Sequence, residues 1–168
     1  MDKISLERIQ KLHPKLRVEA TNILGEIEVI LKGKAACRFT FTLRTFAEQQ
    51  ALYNQGRTTK GAIVTNAKAG QSLHNYGLAI DFALIVDTDH NGSYDFTSWS
   101  TTTDYDLDKV ADWMEVVAIF KRYGWEWGGS WKSFKDLPHF QKTFGYTWKQ
   151  CLALHNTGKV DKAGYVLL

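Results

Sequence analysis

Apolar residues recur at helical spacing from Ser5 to about Leu31, through Leu6, Ile9 and Leu12 and then Ala20, Ile23, Leu24 and Ile27, with Pro14 interrupting the run. The pattern predicts two helices or one kinked helix, because proline removes a helical hydrogen bond and clashes with the turn before it. From Cys37 to Leu43 the period falls to two, a strand. Thr45 to Asn54 then opens with Thr45 and, three residues on, Glu48, the capping-box signature of a helix start. Arg44 stands at the junction. The stretch from Gln55 to Gln71 is polar and rich in Gly, Thr and Lys, a connection long enough to be functional or disordered.

Beyond it, Leu78 to Val86 reads as a buried strand, apolar throughout except for Asp81. The turn-forming residues 87–95 lead to a return strand near Tyr94 to Trp99. Asp108 to Tyr123 reads as an amphipathic helix through Val110, Trp113, Val117 and Phe120, ended by Gly124. A short strand at Pro138 to Gln141 and a helix near Thr147 to His155 complete the chain. There is no internal repeat and no low-complexity linker. The elements predict an α+β fold, a small antiparallel sheet flanked by helices, and 168 residues fit a single domain spanning 1–168.

Composition narrows the partners. Six Trp, seven Tyr and nine Phe exceed what a small core needs, and they crowd between positions 94 and 148, so some should line a groove. A net charge of +3 without a basic stripe argues against nucleic acid and suits a weakly attractive encounter with an anionic polymer. No stretch approaches the roughly 18 apolar residues of a membrane span, and the N-terminus lacks the apolar region of a signal peptide. Cys37 and Cys151, far apart and outside any CxxC pattern, read as buried reduced thiols.

Asp81 poses the chemical question, since a carboxylate in a buried strand is costly unless paired or metal-bound. His74 lies an odd interval away and would face the other side of one straight strand, but Tyr76-Gly77 offers a bend that can fold it back. Asp136-Leu-Pro-His139 supplies the best third ligand, extended because Pro138 disfavours helix before it. His74, Asp81 and His139 together have the composition of a catalytic zinc site, three N/O ligands with a fourth position for water, and Asp136 is left as a free carboxylate to take a proton. His13, His90 and His155 read as structural or solvated. Asp87, Asp89, Asn91, Gly92 and Asp95 match an EF-hand-like calcium spacing, but position 12 is Ser98 and the flanks are strands. An Asn-Gly hairpin turn is the preferred reading there and calcium the secondary one.

Three separated motifs carry a family resemblance. "SLHNYGLAID" resembles the SxHxxGxAxD motif of the M15 zinc peptidases, the peptidoglycan-cleaving VanY/VanX class. "TLRTFAEQQALYNQG" is similar to the segment preceding it in that family, and "WGGSWKSFKDLPHFQ" to its closing motif. The nearest likeness is to L-alanyl-D-glutamate endopeptidases of phage endolysins and bacterial wall hydrolases, over roughly positions 4 to 145. The resemblance implies a hedgehog/D-Ala-D-Ala-peptidase-like fold, one zinc held by His74, Asp81 and His139, and Asp136 as catalytic base. It further implies that Arg44 binds or polarises substrate near the scissile bond and that Ser72 supports the site. Many dipeptidases and carboxypeptidases of the class carry Glu where this chain has Asp136, which tilts the reading toward the endopeptidases. The expectation is a monomeric enzyme acting on the bacterial wall stem peptide, made without a signal peptide and reaching the wall by phage lysis or another export route. A D-alanyl-D-alanine carboxypeptidase or dipeptidase is the first alternative, and a non-catalytic zinc-containing wall-binding module the second.

Overall fold

The computed structural model describes residues 1–168. Pro14 does split the N-terminal run: α1 covers Lys3–Ile9 and α2 Pro14–Ile30, with proline at the first turn of the second helix, where its missing N–H costs nothing. His13 caps α2 through its side chain and is fixed from the other ring nitrogen, whose Nε2 lies 2.9 Å from the Val166 carbonyl oxygen, so it is structural as expected. β1 (Ala35–Phe41) follows, and α3 (Phe46–Asn54) starts in the capping box read from Thr45 and Glu48.

The sheet is antiparallel throughout. β2 (Ala79–Val86) is its centre; β1 lies along one edge of it, while β3 (Phe96–Ser98) and β5 (His139–Gln141) share the other, and the two-residue β4 (Glu126–Trp127) pairs with β5. Alternation along β2 explains how an apolar run accommodates Asp81. Leu78, Ile80, Phe82 and Leu84 enter a core with Leu16, Ile23 and Ile27 of α2 and with α4 (Asp112–Arg122), whereas Asp81 faces the opposite side. Phe120 of α4 stacks on Phe140 of β5 with ring centroids 4.1 Å apart, and Trp113 meets Phe82 at 4.2 Å. The core thus clamps β2 and β5 together directly behind the site. α5 (Trp148–Asn156) begins in a second capping box, from Thr147 and Gln150, and His155 near its end packs on Phe46.

One expectation changes in detail. α4 begins at Asp112 rather than Asp108, because Asp104 accepts from the amides of Leu107 and Lys109 and Asp108 accepts from Val110, while Leu107 and Lys109 adopt positive φ. Those bonds hold the backbone out of the helix and leave Val110 exposed. The 87–95 segment is the hairpin loop between β2 and β3, in register from Leu84–Ser98 to Val86–Phe96. Its carboxylates serve loop groups: Asp87 accepts from Asn91 and Gly92, Asp89 from Asn91, and Asp95 from Thr88, while Ser98 is buried in β3. Both cysteines are free and buried, as expected.

Candidate metal centre and cleft

His74, Asp81 and His139 converge. Asp81 and His139 are cross-strand partners on β2 and β5, and Asp81 Oδ1 lies 3.0 Å from His139 Nδ1. His74 arrives from a 3-10 turn, Leu73–Tyr76, that ends at Gly77 with φ 66°. A Cβ on Gly77 would come within 2.6 Å of the His13 amide nitrogen, so glycine is required both for the backbone and for the space. The bend anticipated at Tyr76-Gly77 therefore exists, and it sets His74 Nε2 3.1 Å from Asp81 Oδ1 and 3.2 Å from His139 Nδ1.

These three atoms fit a metal. Ligands about 2.0–2.1 Å from a tetrahedral zinc stand roughly 3.3 Å from one another, close to the separations observed. The tautomers agree. His74 Nδ1 lies 2.8 Å from the Thr42 carbonyl oxygen and His139 Nε2 3.1 Å from Gln141 Oε1, so each ring donates its outer N–H and turns a lone pair toward the other. Two buried imidazole lone pairs facing each other and a carboxylate call for a cation between them. Although burial pushes the Asp81 carboxyl up, the two imidazoles outweigh it and hold it well below the usual carboxylate range. Burial pulls His139 down, but Asp81 reverses this and leaves its proton affinity raised.

Four further residues support the ring orientations and were not singled out in the sequence. Gln141, which accepts from His139, donates to Glu126 Oε2 at 2.8 Å, and Glu126 Oε1 in turn accepts from Trp131 Nε1 at 2.5 Å. Glu126 and Gln141 are opposite each other across β4 and β5, a pairing that only the register of a two-residue strand creates. Asn75 ties the His74 turn to the start of α3, accepting from Gly70 and Ser72 and donating to the Arg44 and Thr45 carbonyls. Its place inside the "SLHNYG" motif was the available signal.

Ser72 caps the 3-10 turn through the His74 amide and lines the cleft. Asp136 also lines it but lies outside the group of ligand atoms that gather within 4.8 Å of one another. Burial, and then the charge of Asp81, raises its pKa above the ordinary aspartate value. Gly128 lets Asp136 come this close, since a Cβ there would sit 2.5 Å from the Asp136 carbonyl oxygen and 3.2 Å from His139 Cβ. Arg44 is held by its Nη1 donating to Gln49 at 2.9 Å and by stacking on Phe41, 4.6 Å from the ring centroid. It has no carboxylate within ion-pairing distance, and its buried Nε has no partner. The cleft they share measures about 1120 Å³ and is walled by Trp131, Phe134, Tyr146 and Trp148, the groove that the aromatic crowding predicted.

Fold and site together are a small antiparallel sheet carrying a His-Asp-His cluster that could hold a metal, in a cleft that also contains the carboxylate of Asp136. Residues 65–142 match the family model described as D-alanyl-D-alanine carboxypeptidase, of the M15 peptidases. The matched segment contains His74, Asp81, Asp136 and His139. Over 98 residues the chain is 53% identical to the peptidoglycan L-alanyl-D-glutamate endopeptidase CwlK of Bacillus subtilis, covering 58% of this chain and 55% of that protein. It is 27% identical over 148 residues to the L-alanyl-D-glutamate peptidase of Listeria phage A118, covering 84% of this chain and 42% of that one. The chain thus spans about half the length of these relatives. The crystal structure of the L-Ala D-Glu endopeptidase ChiX of Serratia marcescens shares the fold, with a TM-score of 0.55 at 21% identity over 86% of this chain and 90% of that one.

Proposed function

We propose that this chain is a zinc-dependent peptidoglycan hydrolase that cleaves the L-alanyl–D-glutamate amide bond of the wall stem peptide. One observation carries the reading: His74, Asp81 and His139 form a three-ligand cluster that shares its cleft with a carboxylate outside the cluster, Asp136, and with Arg44, a guanidinium free of acidic partners. The relatives' names give the bond.

His74 Nε2, Asp81 Oδ1 and His139 Nδ1 are the atoms that hold the metal. When bound, zinc polarises the scissile carbonyl and lowers the pKa of water to about 7. Asp136 takes the proton from the attacking water and returns it to the leaving amine. Burial and the charge of Asp81 raise the pKa of Asp136, which makes it a better proton acceptor than a solvated aspartate. Arg44 offers its planar donor fork to a carboxylate, the group a D-glutamate residue presents beside the scissile amide. Trp131, Phe134 and Trp148 line the cleft in which the extended peptide would lie. Every group in this scheme comes from one chain, and its place of action is the bacterial wall. A purely wall-binding module has no use for Asp136.

The family model's description keeps a D-alanyl-D-alanine carboxypeptidase as the competing reading. Mass spectrometry of digested peptidoglycan separates the two. Stem peptides with a new N-terminal D-glutamate are expected, and release of D-alanine alone would overturn the endopeptidase reading.

A further inference from the structure

A second cluster of oxygen ligands lies away from the cleft, where the segment after β3 enters α4. Asp104, Asp106, Asp108, Asp112 and Glu115 fall at positions 1, 3, 5, 9 and 12 of a twelve-residue calcium loop, and the Val110 carbonyl falls at position 7. Lys109 occupies position 6, the sharp turn, and adopts φ 80° there.

Spacing alone would not distinguish this loop from a solvated acidic turn. Two buried oxygens do. Asp112 is 0% exposed; its Oδ1 accepts from the Tyr105 amide at 2.8 Å, while its Oδ2 is sealed from solvent with no hydrogen-bond partner. Glu115 Oε2 is likewise buried and unpartnered. One oxygen each from Asp106, Asp112 and Glu115 lies within 4.8 Å of the others, as do oxygens of Asp104, Asp106 and Asp108. An unsatisfied buried carboxylate beside further carboxylates is costly, and a hard cation removes both costs at once. Burial pushes the Glu115 carboxyl up to about 7, and the charges of Asp108, Asp106, Asp112 and Asp104 add to it.

We propose that residues 104–115 bind one calcium ion, with Asp104, Asp106, Asp108, the Val110 carbonyl, Asp112 and Glu115 as its ligands. The absence of His and Cys selects an oxygen-preferring cation over zinc. The ion fastens the loop to the first turn of α4, next to Trp113, which packs on Phe82, the strand neighbour of Asp81. Its role is to stabilise the scaffold behind the cleft, and it stands independently of the bond the enzyme cleaves. The 87–95 loop, which shows the more familiar Asn-Gly form, has Ser98 at position 12 and contributes no buried unpartnered oxygen.

The test is calorimetric titration of the zinc-loaded full chain with calcium chloride in calcium-depleted buffer, alongside thermal unfolding with and without calcium. One equivalent should bind with Kd below about 1 mM, and the unfolding midpoint should rise by roughly 5–10 °C at about a hundredfold excess over Kd. Glu115→Gln and Asp108→Asn should each weaken binding at least about tenfold, and Asp89→Asn should leave it unchanged. Asp108 is exposed, so its variant decides the matter if Glu115→Gln fails to fold. No saturable heat with the parent chain, unchanged affinity in Asp108→Asn, or affinity lost only in Asp89→Asn would overturn the proposal.

Discussion

Asp81 and His139 face each other across β2 and β5, and Asp81 Oδ1 stands 3.0 Å from His139 Nδ1. That register, with His74 swung in by Gly77, gives the buried carboxylate two imidazole partners, the set proposed to hold zinc. His74→Ala and His139→Ala should each bind well below one equivalent of zinc, while the fold's α+β content persists. Elemental analysis and circular dichroism of the same samples check this, and a full equivalent of zinc in either variant would refute the ligand set.

The hydrogen-bond chain behind His139 should matter nearly as much as the ligand. Gln141→Leu removes the acceptor of the His139 Nε2–H bond and leaves Glu126 without its donor from Gln141. Loss of such an outer partner typically costs about 10–100-fold in metal affinity or activity. Competition with a chromogenic zinc chelator measures it. An unchanged zinc affinity would mean that packing alone orients the ring.

Arg44 is stacked on Phe41 and bonded to Gln49 but unpaired with acid, the condition of a residue that waits for an anionic ligand. Arg44→Lys preserves charge and loses the fork, so kcat/KM on wall peptides should fall by roughly 10–100-fold with zinc content unchanged. Steady-state kinetics on a defined muropeptide decides it.

Legibility followed the range of the interaction. Capping boxes at Thr45 and Thr147, the break at Pro14 and the bend at Gly77 are local, and the sequence displayed them. The convergence of His74, Asp81 and His139 was legible from a carboxylate in a buried strand, the bend at Gly77 and the motif resemblance taken together. The Gln141–Glu126–Trp131 chain was not, since it exists only through the pairing of a two-residue strand. The start of α4 was misplaced because apolar spacing at Val110 continued the helical pattern, while Asp104 and Asp108 bond the intervening amides more strongly than the helix can. The same aspartates carried a metal-loop spacing that the Asn-Gly turn at 91–92 overshadowed.

Stability in acid should depend on Asp2. Burial raises its pKa, but bonds from Arg38 and Ser5 outweigh this and leave it lowered, and its side chain also caps α1. A carboxylate with a depressed folded pKa stabilises the fold above its unfolded pKa, near 4, and that contribution is lost as pH falls through the folded value. Asp2→Ala should therefore cost about 0.5–2 kcal/mol at pH 7 and flatten the decline in stability below pH 4. Urea unfolding at several pH values tests both parts, and an equal loss at every pH would assign the effect to packing.

Asp136→Asn bears on the central claim most directly, because it keeps the side-chain volume and the three ligands and removes only the ability to accept a proton. Zinc stoichiometry and wall-peptide hydrolysis should be measured on one preparation. The account predicts a full equivalent of zinc, an unfolding midpoint near that of the parent, and turnover reduced by about 10²- to 10⁴-fold. Turnover within a few-fold of the parent, or zinc lost together with activity, would contradict it.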